Sequence, residues 1–547
     1  MAKGVAAKLL FSILAACAAS MISTVIRAET GPLPVITTEG GQVHGVLRHG
    51  VVEYRGIPYA ESPAGAKRWT LPEPAKPWEG VLYAEDFVPM CAQAARYDLT
   101  EASNNEDCLY LNVTVPFVQE TVAVKRPVIV WIHGGGFVGG SSSLYRLDHL
   151  AKEAGAVVVS INYRLGVLGF MPHPGFDADH NGAYALEDQR LAMHWVRRNI
   201  AAFGGDPENI TLAGESAGGA SVCMHLLTPE ATEGLFHKAI IQSAACSFQL
   251  RNAKQWSEFG VKVANEVGCT DPQHAVDCMR SKSVQQLIAA ADKVADGDLM
   301  AFAPVIGTKT LPRQTLESLE AGKFVKVPVL AGGTRDELRL YVAYAEQAGQ
   351  RITADNFADV LRETYGDNAA AVQARYPLAG FESAPAALGS ITTDFRPDIG
   401  INHCLYVESA RLLSRHVPVY LLDFADRDAP VLGVSIPETP DPEFELGAVH
   451  SSELNYLFPN FSNTTKLDGP ELKPASRELS DQLVETWAQF IRTGVPQAKG
   501  LPAWPRFADA GEAMRFEPGN SRLIDPAAEY QCGFWKRLYP KAFAGKH

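Results

Sequence analysis

Ser216 stands in Ala213-Gly214-Glu215-Ser216-Ala217-Gly218-Gly219, behind the short apolar run Asn209-Ile210-Thr211-Leu212 and ahead of a helical pattern over 220–227. A hydroxyl raised on a sharp strand-to-helix turn is one way to make serine a nucleophile. Serine is weak alone. It needs a base to take its proton, an acid to hold that base, and donors for the oxyanion. A second segment offers donors: His133-Gly134-Gly135-Gly136-Phe137 follows directly on the apolar run Val128-Ile129-Val130-Trp131-Ile132. Glycines let backbone N–H groups turn toward a developing negative charge with no Cβ in the way. The chemistry these two segments suggest is acyl transfer through a covalent serine intermediate. A G-x-S-x-G pattern also arises by chance in a Gly- and Ala-rich chain, so its weight depends on the elements around it.

Those elements read as strands alternating with helices. Apolar, β-branched runs recur at 128–132, 156–161, 210–212, 239–241, 327–330 and 417–422. They are nearly continuous in hydrophobicity, which marks strands covered on both faces. Helical patterns lie between many of them, as over 188–199 and 220–227. The succession predicts an α/β fold with one large, mostly parallel central sheet flanked by helices. A proline-rich stretch from Arg427 to Leu446 reads as a long surface loop, and it leads into Gly447-Ala448-Val449-His450.

The 547 residues, 46% of them hydrophobic, suffice for a large core. The net charge of −13 and the lack of a basic stripe exclude nucleic acid as a partner. Residues 1–28 have the pattern of an export signal: Lys3 and Lys8, then an apolar stretch from Leu9 to Ile26, with cleavage after Ala28 or after Ala19. Leu14-Ala15-Ala16-Cys17 also resembles a lipobox, and a retained anchor is the remaining alternative. Membrane attachment is expected only if Cys17 is lipidated or the signal stays. Residues 29–547 then form a single catalytic domain. Export permits disulfides. Cys91 with Cys108 and Cys269 with Cys278 bracket polar loops and are candidate local bridges. Cys223, Cys246, Cys404 and Cys532 show no obvious partners, and Cys223 reads as a small core residue.

Longer motifs carry a resemblance. Glu106-Asp107-Cys108-Leu109-Tyr110-Leu111-Asn112-Val113, the HGGGF loop, Asn162-Tyr163-Arg164-Leu165-Gly166 and Phe203-Gly204-Gly205-Asp206-Pro207 precede the Ser216 turn in that order. Over roughly Leu33 to Tyr539 the chain resembles the type B carboxylesterases of the cholinesterase and lipase α/β-hydrolase superfamily. The resemblance implies a Ser-Glu-His triad in that chain order. The acid falls in Gly332-Gly333-Thr334-Arg335-Asp336-Glu337-Leu338, where Glu337 matches and Asp336 is the rival carboxylate. Leu338 replaces the usual Gly. The base is His450 in Gly447-Ala448-Val449-His450-Ser451-Ser452-Glu453, with Ser451 in place of the common Gly.

Three backbone N–H groups, those of Gly135, Gly136 and Ala217, match the oxyanion hole. The mechanism implied is attack by Ser216 Oγ, proton transfer through His450, and an acyl-enzyme released by water. It calls for no metal or organic cofactor. The resemblance also pairs Arg55 with Glu106 and Arg164 with Asp188 as buried ion pairs. Glu215 is either a carboxylate tuning the field at His450 or a solvated neighbour.

For substrate, the Cys91–Cys108 loop lacks the Trp that stacks on choline in cholinesterases, so choline esters are disfavoured. The whole chain is similar to exported bacterial esterases, among them fumonisin B1 esterases, which cleave tricarballylate esters. A polyanionic acyl group would want Arg96, Arg335 or Arg339 near the pocket. The alternatives are a carboxylesterase or lipase on small neutral esters, an amidase, and, in another class, a non-catalytic neuroligin-like binding protein. Such a binding protein lacks a working nucleophile.

Overall fold

Strands that begin right after a proline set the frame of the sheet. Pro328 and Pro418 have no N–H to give a ladder, and the strands expected at 327–330 and 417–422 start just past them, at Val329 and Val419. The carbonyls of both prolines still accept, from Ala239 and Val329 at 3.0 and 2.9 Å. The structure, a computed structural model, describes residues 33–95, 101–117, 125–431, 444–462, 465–467 and 469–544. The chain from Val35 onward packs as one compact unit. The expected signal segment, Cys17, Arg96 and most of the proline-rich loop lie outside the described residues.

Fourteen strands are present among the described residues: β1 (Ile36–Thr37), β2 (Gln42–His44), β3 (Val46–Arg48), β4 (Val51–Pro58), β5 (Val81–Tyr83), β6 (Tyr110–Pro116), β7 (Arg126–Ile132), β8 (Val157–Ile161), β9 (Gly205–Glu215), β10 (Lys238–Gln242), β11 (Val329–Thr334), β12 (Val419–Phe424), β13 (Ala513–Phe516) and β14 (Arg522–Ile524). An eleven-stranded sheet runs in the order β14-β13-β12-β11-β10-β9-β7-β8-β6-β4-β3, and β1, β2 and β5 make a small separate sheet. The seven strands from β13 to β8 pair in parallel, whereas both edges are antiparallel. The parallel part holds all six apolar runs. Every residue of β8, β10, β11 and β12 is buried, as two-sided cover requires.

Helices supply that cover. The helix Pro474–Thr493 turns Leu483, Trp487, Phe490 and Ile491 onto one face of the sheet, against a core that includes Trp131, Ile240 and Leu422. The helix expected over 188–199 begins one turn earlier and spans Tyr184–Asn199. The helix after Ser216 likewise starts early, at Ala217, and runs to Leu226.

Buried charge ties segments together. Arg164 and Asp188 pair as expected, Nη2 to Oδ1 at 2.7 Å and Nε to Oδ2 at 2.9 Å, nearly sealed from solvent. The other expected pair is different. Glu106 binds Arg68, through Nε and Nη2 at 2.7 and 2.6 Å, and Arg55 binds Glu53 at 2.7 Å. Residues two apart on a strand share a face, so Glu53 is the near partner on β4, and no ion pair joins Arg55 to Glu106 among the described residues.

The four cysteine pairs are Cys91–Cys108, Cys223–Cys246, Cys269–Cys278 and Cys404–Cys532. The local pairs are those the spacing suggested. Cys223 is in a bridge rather than being a simple packing residue, because the helix Ala217–Leu226 lies over the end of β10 and brings it to Cys246.

Candidate active site

Ser216 caps β9 at φ 55° and ψ −123°. That backbone is strained for a residue with a side chain and is held only by its surroundings. Its N–H donates to Gln242 O at 2.9 Å, at the end of the neighbouring strand β10. The flanking glycines are forced by contact. A Cβ on Gly218 would collide with the Ile132 carbonyl, and one on Gly214 would lie 2.5 Å from Gly218 C. The turn therefore packs backbone against backbone, and the helix Ala217–Leu226 starts directly at the serine.

The loop after β11 and the loop that carries His450 are stitched together. Asp336 N–H donates to Ala448 O at 2.8 Å, Ala448 N–H donates to Asp336 Oδ2 at 3.0 Å, and His450 N–H donates to Glu337 O at 3.2 Å. Glu337 Oε1 accepts from Thr334 N–H at 3.0 Å and from Tyr406 OH at 2.9 Å. Glu337 Oε2 faces His450 Nδ1 at 2.7 Å, and His450 Nε2 faces Ser216 Oγ at 2.9 Å. Ser216, His450 and Glu337 thus form one continuous hydrogen-bonded chain. Asp336 points elsewhere, toward Arg339 Nε at 3.6 Å and Arg427 Nε at 3.5 Å. Leu338 sits at φ −90°, an ordinary value that needs no glycine. Neither the Tyr406 bond to Glu337 nor the Ala448 bond to Asp336 had a signal in the sequence, since each joins segments far apart along the chain.

The glycine loop faces the same cavity. Gly135 (φ 111°), Gly136 (φ 61°) and Phe137 (φ 63°) all take left-handed backbone. The N–H groups of Gly135, Gly136 and Ala217 have no acceptor among the described residues, and all three residues line the cavity beside Ser216. His133 braces the loop from behind. It is buried and stacked on Tyr163 with ring centroids 4.4 Å apart, and burial lowers its pKa to about 4.

A cluster of carboxylates surrounds His450. Glu215 is buried, with Oε1 2.6 Å from the Ser451 hydroxyl that donates to it and 3.3 Å from His450 Nε2. It is not a solvated neighbour. Burial raises the Glu215 pKa and raises that of Glu453 well above the usual range, helped there by the charges of Glu215 and Glu337. Burial also acts to raise Glu337, but the His450 charge and hydrogen bond outweigh it and the net shift is downward. For His450 burial is again opposed: the charges of Glu215 and Glu337 overcome it and raise the pKa to about 9.

The cavity over Ser216 measures about 250 Å³. Its walls are mainly apolar, with Leu144, Met224, Phe248, Leu250, Phe302 and Leu340 among them, and Tyr341 stands 5.7 Å from the His450 ring. Its charged side chains are Glu215, Asp292, Asp298 and His450, and no Lys or Arg lines it among the described residues. Two of the arginines proposed for an anionic acyl group are therefore not at the pocket. Arg339 is buried against Glu382 and the Glu445 carbonyl, and Arg335 lies toward Glu517.

A parallel sheet whose strand ends present a serine on a sharp turn, a histidine and a carboxylate defines an α/β-hydrolase-type enzyme. Comparison with known proteins narrows the class. The family model described as "Carboxylesterase family" matches residues 32–535. The para-nitrobenzyl esterase of Bacillus subtilis (strain 168) is 32% identical over 521 residues, covering 92% of this chain and 98% of that protein. The human cocaine esterase is 30% identical over 572 residues and 96% of each chain. Among solved structures, a thermophilic PNB esterase superposes with a TM-score of 0.75 at 30% identity, over 91% of this chain and 99% of that one. The chain belongs to the carboxylesterase family and is a carboxylic ester hydrolase.

Proposed function

We propose that Ser216, His450 and Glu337 hydrolyse neutral carboxylic esters through an acyl-enzyme, with Gly135, Gly136 and Ala217 as oxyanion donors. The hydrogen-bonded chain from Ser216 Oγ to His450 to Glu337, at 2.9 and 2.7 Å, carries this reading. Ser216 Oγ attacks the ester carbonyl as its proton passes to His450 Nε2. Glu337 keeps the other ring proton on Nδ1 and stabilises the imidazolium. The N–H donors take the negative charge on the carbonyl oxygen. His450 then gives its proton to the leaving alcohol, and water repeats the sequence to free the acid.

The apolar wall favours neutral acyl groups. A tricarballylate ester would bring carboxylates beside Glu215, Asp292 and Asp298, with no lysine or arginine among the described lining residues to pair with them. Preference for neutral esters over tricarballylate esters is therefore the expected result. Export also belongs to this proposal. It is supported by four disulfides and by the signal-like residues 1–28, and no described helix is long and apolar enough to cross a membrane.

The test is a hydrolysis screen of wild type and Ser216→Ala on p-nitrophenyl acetate and butyrate, butyrylcholine and a tricarballylate ester. Ser216→Ala should lower kcat by about 10⁶ on every substrate cleaved. Undiminished turnover in that variant would remove the serine mechanism, and a tricarballylate preference would remove the neutral-ester reading.

A further inference from the structure

Ser451 holds a backbone conformation that glycine would adopt without strain, at φ 67° directly after His450. The sequence keeps a side chain there, and among the described residues that side chain has one hydrogen-bond partner. The Ser451 hydroxyl donates to Glu215 Oε1 at 2.6 Å. The same oxygen lies 3.3 Å from His450 Nε2, the nitrogen that faces Ser216 Oγ at 2.9 Å. Glu215 precedes the nucleophile, so its carboxylate is fixed from one side by β9 and from the other by the residue following the base.

Once Nε2 carries the proton, two oxygens therefore compete for it. When the Ser216 O–H bond breaks and Nε2–H forms, that proton must later reach the leaving alcohol oxygen as its C–O bond breaks. If it passes to Glu215 Oε1 instead, the products are a neutral carboxylic acid and a neutral imidazole with no proton for the alcohol. A carboxylate oxygen that already accepts a short hydrogen bond is a poorer acceptor for a second donor, yet its charge still favours the imidazolium.

We propose that Ser451 is a positioning residue that holds Glu215 Oε1 as a fixed charge beside His450 Nε2 and keeps it from capturing the proton taken from Ser216. This rests on the Ser216–His450 reading above. Besides His450, the charge of Glu337 acts on Glu215, and the charge of Glu215 in turn reaches Glu453, Tyr145 and Tyr163. Tyr341 packs on the His450 ring, and His403 and Tyr406 act on Glu337. None of these supplies a second hydroxyl to Glu215 Oε1 among the described contacts.

The sign of the pH effect follows. Removing a donor to the carboxylate makes the Glu215–His450 pair take up a proton more readily, whichever member holds it. The acid limb of kcat must then move to higher pH. The experiment compares Ser451→Ala and Ser451→Gly, alone and combined with Glu215→Gln, using kcat and KM for p-nitrophenyl butyrate across pH. Ser451→Gly removes the hydroxyl and the strain together, so it guards against a folding defect.

Both single variants should lose about tenfold in kcat, with KM within about twofold and the limb raised by about one pH unit. In the Glu215→Gln background, Ser451→Ala should change neither quantity further. Wild-type kcat and pH profile in both single variants, or an undiminished effect in the Glu215→Gln background, overturns the proposal. A defect in Ser451→Ala that Ser451→Gly lacks assigns the effect to backbone strain and overturns it as well. Ser216→Ala in the same series separates the two claims. If it is inactive while the Ser451 variants behave as wild type, only this inference falls. If it is active, the serine mechanism falls with it.

Discussion

Glu337→Gln tests the acid without changing its shape. Glu337 Oε1 accepts two donors, Thr334 N–H at 3.0 Å and Tyr406 OH at 2.9 Å. In the glutamine variant the amide oxygen must stay on that side, because turning the NH₂ group toward two donors would leave buried groups unpaired at about 1–3 kcal/mol each. The NH₂ then faces His450 Nδ1, across the 2.7 Å now spanned by a carboxylate. A donor at Nδ1 forces the ring proton onto Nε2, opposite Ser216, and the imidazole is no longer a base. The matching substitution in serine hydrolases with an aspartate lowers kcat by about 10⁴, which corresponds to about 5 kcal/mol in the barrier. We expect that loss here with KM within a few-fold. Asp336→Asn is the control. Its oxygen can still accept from Ala448 N–H, and its other neighbours are Arg339 and Arg427 rather than His450, so activity should stay within about tenfold of wild type. Steady-state hydrolysis of p-nitrophenyl acetate measures both, with urea midpoints to establish that the variants are folded. A Glu337→Gln enzyme within tenfold of wild type, or an Asp336→Asn enzyme as impaired as Glu337→Gln is expected to be, would refute the assignment.

Three further outcomes follow from other parts of the structure. His450 must be neutral to act as base, and its pKa is raised to about 9, so kcat/KM should climb with pH well above 6.5; Glu215→Gln removes one of the charges responsible and should move the limb down, as a pH–rate profile would read. Glu106→Gln strips the partner from buried Arg68 and should cost about 3–5 kcal/mol in urea unfolding, whereas Arg55→Met, at a half-buried pair with Glu53, should cost about 1 kcal/mol or less. Replacing Cys404 and Cys532 together by alanine opens a link across 128 residues and should destabilise by about 2–5 kcal/mol in urea, with kcat within about twofold of wild type.

The parts of this enzyme that could be read from sequence are those where backbone must touch backbone. Gly214 and Gly218 are required by carbonyl and main-chain contacts at the Ser216 turn, and Gly135 by its positive φ. Such needs leave fixed residue types at fixed spacing. The strands were readable for the same reason: burial on two faces demands continuous apolar residues. Their first residues were misplaced by two at Pro328 and Pro418, because hydropathy does not register a missing N–H.

Long-range partners leave no such trace. Arg68 and Arg55 are both arginines on the approach to one loop, and only the direction of their side chains decides which meets Glu106. Cys223–Cys246 needed the helix after Ser216 to be laid on β10 before it could be seen. Beyond the glycine loop and the Ser216 turn, the cavity wall is assembled from 243–250, 292–304, 340–344 and 399–401, and no one of those segments is built like a binding motif.

The carboxylates around His450 explain why one departure from pattern matters more than the others. Leu338 has an ordinary φ of −90° in place of the usual glycine and changes nothing at the site. Ser451 occupies a strained φ of 67°, and it touches Glu215, which shares His450 with Glu337. Burial holds Glu453 well above the usual carboxylate range, and the negative field at His450 comes chiefly from Glu215 and Glu337. In the proposed mechanism that field stabilises the imidazolium formed when Ser216 loses its proton, which lowers the barrier to attack. The same field raises the pH at which His450 becomes a free base. A site built this way gains in the transition state only if the second carboxylate contributes charge without accepting the proton, and a hydroxyl bound to its oxygen is the direct way to separate those two properties.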